Sequence, residues 1–264
     1  MTMRLNEKVA LVTSSRQGIC ADTAKQLAGA GARVMICGRN AAQGRDTVAQ
    51  IQQQGGRASF ILTDVAIAAD VQAAIDETIA TYGRLDILFN SVSGPYPLDG
   101  PLLDVSETTW DRITETTLKG TFLCCQYAMP FLQNAGQPDS NSTIINLIEQ
   151  SESARNRSVT EICQGGILAM TQEIAQQFSE GNVSANLIWS GQAPQRLNRN
   201  ILSLLTDQVL YGPARPDDSD LADSPQRAAV PFADMAEAIM YLATEGHDLH
   251  GCMLVVDSSA SWGQ

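Results

Sequence analysis

No run of about 18 consecutive apolar residues occurs in this chain, so no part of it reads as a membrane span. Positive charge is scarce as well. Lys and Arg total 17 against 29 Asp and Glu, a formal net charge of -12, and a phosphate backbone would repel such a surface. Neither a nucleic acid nor a membrane is therefore expected as a partner. The opening Met1–Lys8 holds no apolar signal segment and leads straight into a strand pattern, which points to the cytoplasm. No CxxC pair links the six cysteines Cys20, Cys37, Cys124, Cys125, Cys163 and Cys252, so they read as reduced core or interface thiols. With only His247 and His250 for imidazole, both beside a turn near the end, no metal site is expected.

What is present is a globular composition, 44% hydrophobic and 17% charged. The length suits a single α/β domain over residues 1–264. Short β-branched runs alternate with longer helical patterns. Strands are expected at 9–12, 33–37, 58–62, 85–89, 143–147, 183–188 and 252–256, and helices near 18–30, 41–54, 67–82, 108–133, 160–180 and 233–244. This alternation predicts a doubly wound Rossmann-type domain, a seven-stranded parallel sheet with helices on both faces. Residues 191–232 break the rhythm with five prolines (Pro194, Pro213, Pro216, Pro225, Pro231) and a polar run from Asp217 to Asp223. Within them Ile201–Leu205 suits a short amphipathic helix. Following the sixth strand, this insertion reads either as a lid over a substrate or as a surface loop.

Several motifs, in order along the chain, resemble the short-chain dehydrogenase/reductase superfamily. Thr13-Ser14-Ser15-Arg16-Gln17-Gly18-Ile19-Cys20 is similar to its glycine-rich turn. Thr63-Asp64-Val65, Asn90-Ser91-Val92-Ser93, Trp110-Asp111, Leu118-Lys119-Gly120-Thr121-Phe122 and Gly165–Thr171 follow at family spacing, and His250-Gly251 with Val255-Val256-Asp257 resembles its closing strand. The resemblance covers roughly residues 6–260 and implies the same fold.

The departures matter more. In the family a tyrosine, with a lysine four residues later, moves the proton to or from the substrate oxygen. The matching positions hold Thr160 and Gln164. No Tyr-x-x-x-Lys occurs anywhere, because the only lysines, Lys8, Lys25 and Lys119, follow Arg4, Ala21 and Glu115 at that spacing. The family serine falls near Ile148-Glu149, with Ser151 and Ser153 close by, and the relay asparagine matches Thr117. The resemblance thus implies no standard catalytic residue, the altered positions being Glu149, Thr160, Gln164 and Thr117.

The cofactor positions are altered less completely. A glycine turn lets a pyrophosphate approach a helix N-terminus, but here Ser14 and Cys20 replace two of its glycines and only Gly18 remains. Ser93 and Ser190-Gly191 replace the family's glycine and Pro-Gly. Arg39, with Arg16, instead suits a 2′-phosphate, and Asp64 stands where the family contacts adenine. The residual cofactor set is Ser14, Arg16, Gly18, Ile19, Arg39, Asp64 and Asn90. The expectation is no cofactor, or NADP if any.

The expected role is a non-catalytic structural or regulatory subunit. The partner would be a homologous active subunit, in a homo- or hetero-oligomer joined through helices 108–133 and 160–180, as in family members with one inactive chain such as hydroxybenzylsuccinyl-CoA dehydrogenase. Leu118, Phe122, Cys125, Gly165, Gly166 and Ala169 would face the partner or the chain's own core. Two alternatives stay open. One is a non-redox cyclase, isomerase or lyase using Glu149, Glu152 or Glu161 as a desolvated base. The other is an NADP(H) sensor or an atypical reductase in which Ser151 or Tyr96 reaches in from a loop.

Overall fold

The computed structural model describes residues 5–14, 18–91, 96–134, 141–149, 157–178, 181–190, 209–211, 227–229 and 235–256. All seven expected strands are found: β1 (Val9–Ser14), β2 (Arg33–Gly38), β3 (Arg57–Leu62), β4 (Ile87–Ser91), β5 (Ser142–Glu149), β6 (Val183–Ser190) and β9 (Met253–Val256). They pair in parallel in the order β3-β2-β1-β4-β5-β6-β9. Two three-residue strands from the insertion, β7 (Val209–Tyr211) and β8 (Arg227–Ala229), extend the β9 edge, also in parallel. The rest of 191–232, including Ile201–Leu205, lies outside the described residues.

Helices α1 (Ile19–Gly29), α2 (Ala41–Gln53) and α7 (Met235–Thr244) cover one face of the sheet. The other face carries α3 (Ala68–Tyr82), α4 (Glu107–Thr114), α5 (Gly120–Gln133) and α6 (Ser158–Gln177). Alternate residues of β1 feed the two layers. Ala10 and Val12 pack under α1 and α7, and Leu11 packs under α3 and α5. The predicted helix 108–133 is not uniform: a π-helical turn at Glu115–Lys119 joins α4 to α5. Such a turn widens the backbone locally and is common at functional sites.

Three local features show how sequence sets geometry. Gly31, just beyond α1, takes φ 103, the left-handed value that lets the chain turn directly into β2. β4 begins two residues later than its apolar run because Asp86 is used differently. Its Oδ2 accepts from the Val9 amide at 2.9 Å, and Lys8 and Arg84 bind the same carboxylate. At Gly44 on α2, an added Cβ would stand 2.1 Å from Cδ2 of the Phe60 ring on β3. Gly44→Ala should therefore destabilise the fold by about 1–3 kcal/mol through overpacking. A urea titration that matched the wild-type midpoint would contradict that close approach.

All six cysteines are buried and none is in a disulfide, as expected of core thiols. Among the described residues no helix is long and apolar enough to cross a membrane, and no three His, Cys, Asp or Glu side chains converge as metal ligands.

Candidate active site

β1 lies between β2 and β4, so the strand order reverses there and a crevice opens at the carboxyl ends of β1 and β4. Helix α1 starts at this crevice. Its N-cap is Gly18 at φ 100, a backbone angle that L side chains rarely adopt, and a Cβ built there meets nothing within 4 Å. Among the described residues nothing crowds this helix start, and its positive polarisation is of the kind that attracts a diphosphate. Cys20 does not obstruct it. The thiol is 2% exposed and packs into the core cluster beneath α1. Ile19 is half-buried against the same cluster.

The other residual cofactor positions are spread around the crevice. Arg39 is exposed directly after β2, and Asn40 beside it caps α2 by accepting from the Gln43 amide. Asp64 is half-buried and its Oδ1 accepts from the Ala66 amide at 3.1 Å. The main chain of Ser14 pairs across to Gly38 and Ser91. Asn90 is committed inward. Its Nδ2 donates to Asn146 Oδ1 at 2.9 Å and also reaches Cys125 Sγ, while Asn146 donates to Thr171 Oγ1 at 2.8 Å. This buried chain ties β4, β5 and α6 together. Arg16, Ser93, Glu152, Ser151 and Ser153 lie outside the described residues.

The four positions expected to be altered catalytic residues lie on neighbouring elements, Gln164 beside Glu149 and Thr117 and Thr160 each bound to the loop after β4. Gln164 is buried on α6, and its Nε2 reaches the Glu149 carbonyl at the end of β5, at 3.4 Å. Thr117 lies in the π-helical turn, and its Oγ1 shares a 3.0 Å hydrogen bond with the hydroxyl of Tyr96. Thr160 donates its hydroxyl to Asp99, whose carboxylate also accepts from the Val159 and Thr160 amides. Tyr96 is 9% exposed and packs with Ile113, Val159 and Cys163. Burial pushes its phenol above the ordinary tyrosine value, opposed by the hydrogen bond shared with Thr117, the charge of Arg39 and the hydroxyl of Thr116. Burial likewise pushes the Cys163 thiol up to about 11, with the Asp99 charge adding to the rise.

Sequence reasoning named Tyr96 only as a loop residue able to reach in, and it missed Asp99. The available signal was indirect. Helix α6 has Arg157 at its N-cap, which makes no side-chain capping bond, so a remote acceptor was needed. Of the three glutamates read as bases for the non-redox alternative, Glu152 lies outside the described residues. Glu161 is exposed in the first turn of α6, where solvent keeps it hydrated, and Glu149 is only half-buried.

Comparison with known proteins bears on the expected role. The family model described as enoyl-(acyl carrier protein) reductase matches residues 13–259. A short chain dehydrogenase/reductase of Aspergillus oryzae is 30% identical over 264 residues, covering 97% of this chain and 96% of its own. Cyclopentanol dehydrogenase of a Comamonas strain is 30% identical over 258 residues, 96% of this chain and 97% of its own. A short chain dehydrogenase from Burkholderia cenocepacia, solved in complex with NADP, superposes with TM-score 0.72 at 25% identity, covering 97% and 99% of the two chains.

These relatives are named as dehydrogenases and reductases over nearly their whole length, which overturns the expectation of a non-catalytic structural or regulatory subunit. They favour an oxidoreductase over the cyclase, isomerase, lyase and sensor alternatives too. The reason the sequence misled is physical. Matching position by position records which groups changed, and it carries no information about other groups, such as the buried Tyr96 phenol, that the fold brings beside Thr117.

Proposed function

The chain belongs to the short-chain dehydrogenase/reductase family, and on that premise we propose that it is an NADP(H)-dependent oxidoreductase of small alcohols and ketones with an unusual proton donor. In this reading the standard serine, tyrosine and lysine are absent, with Glu149, Thr160 and Gln164 at their places, and Tyr96 carries the proton instead. One observation carries it: a buried phenol hydrogen-bonded to Thr117, the position matching the family's relay asparagine. The helix start at Gly18 fits a diphosphate, and Arg39 would face a 2′-phosphate, with Ile19 and Asp64 lining the crevice. In support, a similar short chain dehydrogenase is solved in complex with NADP, the cofactor the sequence admits if it binds any. Bound nicotinamide would supply or accept the hydride. Tyr96 would donate its proton to the substrate oxygen during reduction, and the Thr117 hydroxyl, able both to donate and to accept, would hold the phenol in line.

The direction of the Tyr96 shift sets the expected pH behaviour. Alcohol oxidation needs the phenolate as base, and a pKa raised above 10.0 keeps that form scarce at neutral pH. Carbonyl reduction uses the neutral phenol, which is abundant there. Reduction should therefore outrun oxidation at pH 7, and oxidation should climb about tenfold per pH unit as the ordinary tyrosine value is approached. The test is calorimetric titration with NADPH and NADH, followed by initial rates in both directions on a panel of cyclic ketones and alcohols. Saturable NADPH binding with that pH pattern supports the proposal. Absence of binding by either cofactor would overturn it.

We read the chain as working in the cytoplasm, where six thiols that form no disulfide stay reduced, and as associating with a second copy of itself. Between α5 and α6 runs a groove of about 790 Å³ lined by Leu118, Phe122, Met129, Met170, Ile174 and Phe178. Phe122 is 45% exposed there, which suits a partner's helices. The expected small residues divide between the two roles considered. A Cβ on Gly166 would press on Leu118 of the same chain, whereas Gly165 opens on free space and Ala169 is exposed.

A further inference from the structure

We propose that Asp99 is the positioning residue that holds Tyr96 on Thr117; the inference rests on the reading of Tyr96 as proton donor. Asp99 lies three residues after Tyr96 in a turn closed by the Asp99 amide donating to the Tyr96 carbonyl at 3.0 Å. Pro97, at the second place of that turn, fixes its own φ and stiffens it. From this turn the carboxylate reaches a helix 60 residues away. Oδ1 accepts from the Val159 amide at 3.1 Å, and Oδ2 accepts from the Thr160 amide at 2.9 Å and the Thr160 hydroxyl. The Ser158 amide adds a bond to the Gly100 carbonyl at 3.1 Å.

These bonds do two things at once. They satisfy amides in the first turn of α6, which Arg157 leaves uncapped, and they clamp the loop to the helix. The Tyr96 ring then rests on Val159 and Cys163 of that same helix, with its hydroxyl against the π-helical turn. The residue at the family's tyrosine position, Thr160, thus serves as an anchor for the loop that brings the replacement phenol. A plain helix cap would need none of this, since a serine or aspartate at residue 157 would cap α6 locally.

The test separates positioning from capping by watching Tyr96 itself. Protein grown on fluorotyrosine gives a Tyr96 fluorine resonance, identified as the one missing from Tyr96→Phe, and its titration is followed in Asp99→Ala, Asp99→Asn and Thr160→Val. Positioning predicts that Asp99→Ala moves the Tyr96 titration down towards that of an exposed tyrosine. It also predicts a fall in kcat for ketone reduction of about 10- to 100-fold, with KM for NADPH unchanged. Asp99→Asn and Thr160→Val, which keep part of the clamp, should fall between, and they provide the same readout should Asp99→Ala fail to fold. A lowered melting temperature with an unmoved Tyr96 resonance and kcat would reduce Asp99 to a helix cap and overturn the proposal. The fluorine readout does not depend on turnover. Full activity in Tyr96→Phe would sink the proton-donor reading, whereas the resonance reports on the clamp by itself.

Discussion

Tyr96→Phe should lower kcat for carbonyl reduction by about 10²- to 10⁴-fold, the usual worth of one positioned acid, while leaving NADPH affinity within a few-fold of wild type. The substitution removes one oxygen, and with it the 3.0 Å hydrogen bond to Thr117, but keeps the ring that fills the space beside Ile113, Val159 and Cys163. The fold should therefore survive with at most a modest drop in Tm, and the large loss should appear in kcat. Thr117 loses its Tyr96 partner in the variant, a cost of about 1–3 kcal/mol at most for one buried hydroxyl. The direction of reaction supplies an internal control. In wild type, oxidation should rise with pH because it draws on the phenolate; in Tyr96→Phe the residual rate should lose that rise. Stopped-flow single turnovers with NADPH and a ketone, paired with calorimetric cofactor titrations, separate the two quantities. A variant with wild-type kcat would return the proton to another carrier.

The second large effect concerns stability. Asp86 is fully buried, and its carboxylate accepts from the Val9 amide at 2.9 Å, from Lys8 Nζ at 3.1 Å and from Arg84 Nε at 2.8 Å. Its main chain joins the same junction, donating to the Val9 carbonyl and accepting from the Thr143 amide, so one residue fastens the starts of β1, β4 and β5. Asp86→Ala leaves two cations and an amide facing an emptied site. Because the Lys8 and Arg84 side chains are 27% and 28% exposed and water can reach them, the cost falls at or below the low end of the roughly 3–5 kcal/mol typical of a fully buried pair broken from one side. For a domain of this size each kcal/mol lowers Tm by roughly 2–4 °C. Asp86→Asn keeps the shape and one acceptor but loses the charge, so it should fall between Ala and wild type. Denaturant melts of the three proteins decide the matter, and an Asp86→Ala midpoint equal to wild type would show that solvent replaces the carboxylate without cost.

Much of the fold was legible because apolar spacing maps directly onto buried faces. The β2 run Val34-Met35-Ile36-Cys37 is buried throughout, as a central parallel strand requires, and α1 ends where the glycines at 29–31 predict. Periodicity was blind to one feature of the long helix over 108–133: the π-helical turn at Glu115–Lys119 adds a backbone offset without changing the apolar pattern. The site was legible by position but not by partnership. Family spacing pointed to Thr117, Thr160 and Gln164, on elements that the fold packs side by side. What those residues touch depends on the loop after β4, where Asp99 meets α6 across 60 residues of intervening chain, and no local pattern encodes such a meeting. Tyr96 looked like any loop aromatic until burial placed its hydroxyl on Thr117.

The six buried thiols carry a consequence for how long the native state lasts. While folded, burial holds Cys37 and Cys125 near pKa 12 as protonated, unreactive groups. Each unfolding event releases all six at once into solvent, with ordinary nucleophilicity and with Cys124 and Cys125 adjacent in sequence. Under oxidising conditions scrambled disulfides, which form over seconds to hours, capture a share of the opened chains, and each round of opening on heating adds to an irreversible loss. The lifetime of this protein outside a reducing environment is set by the share of time the chain spends open, with the cysteines as the trap on the far side.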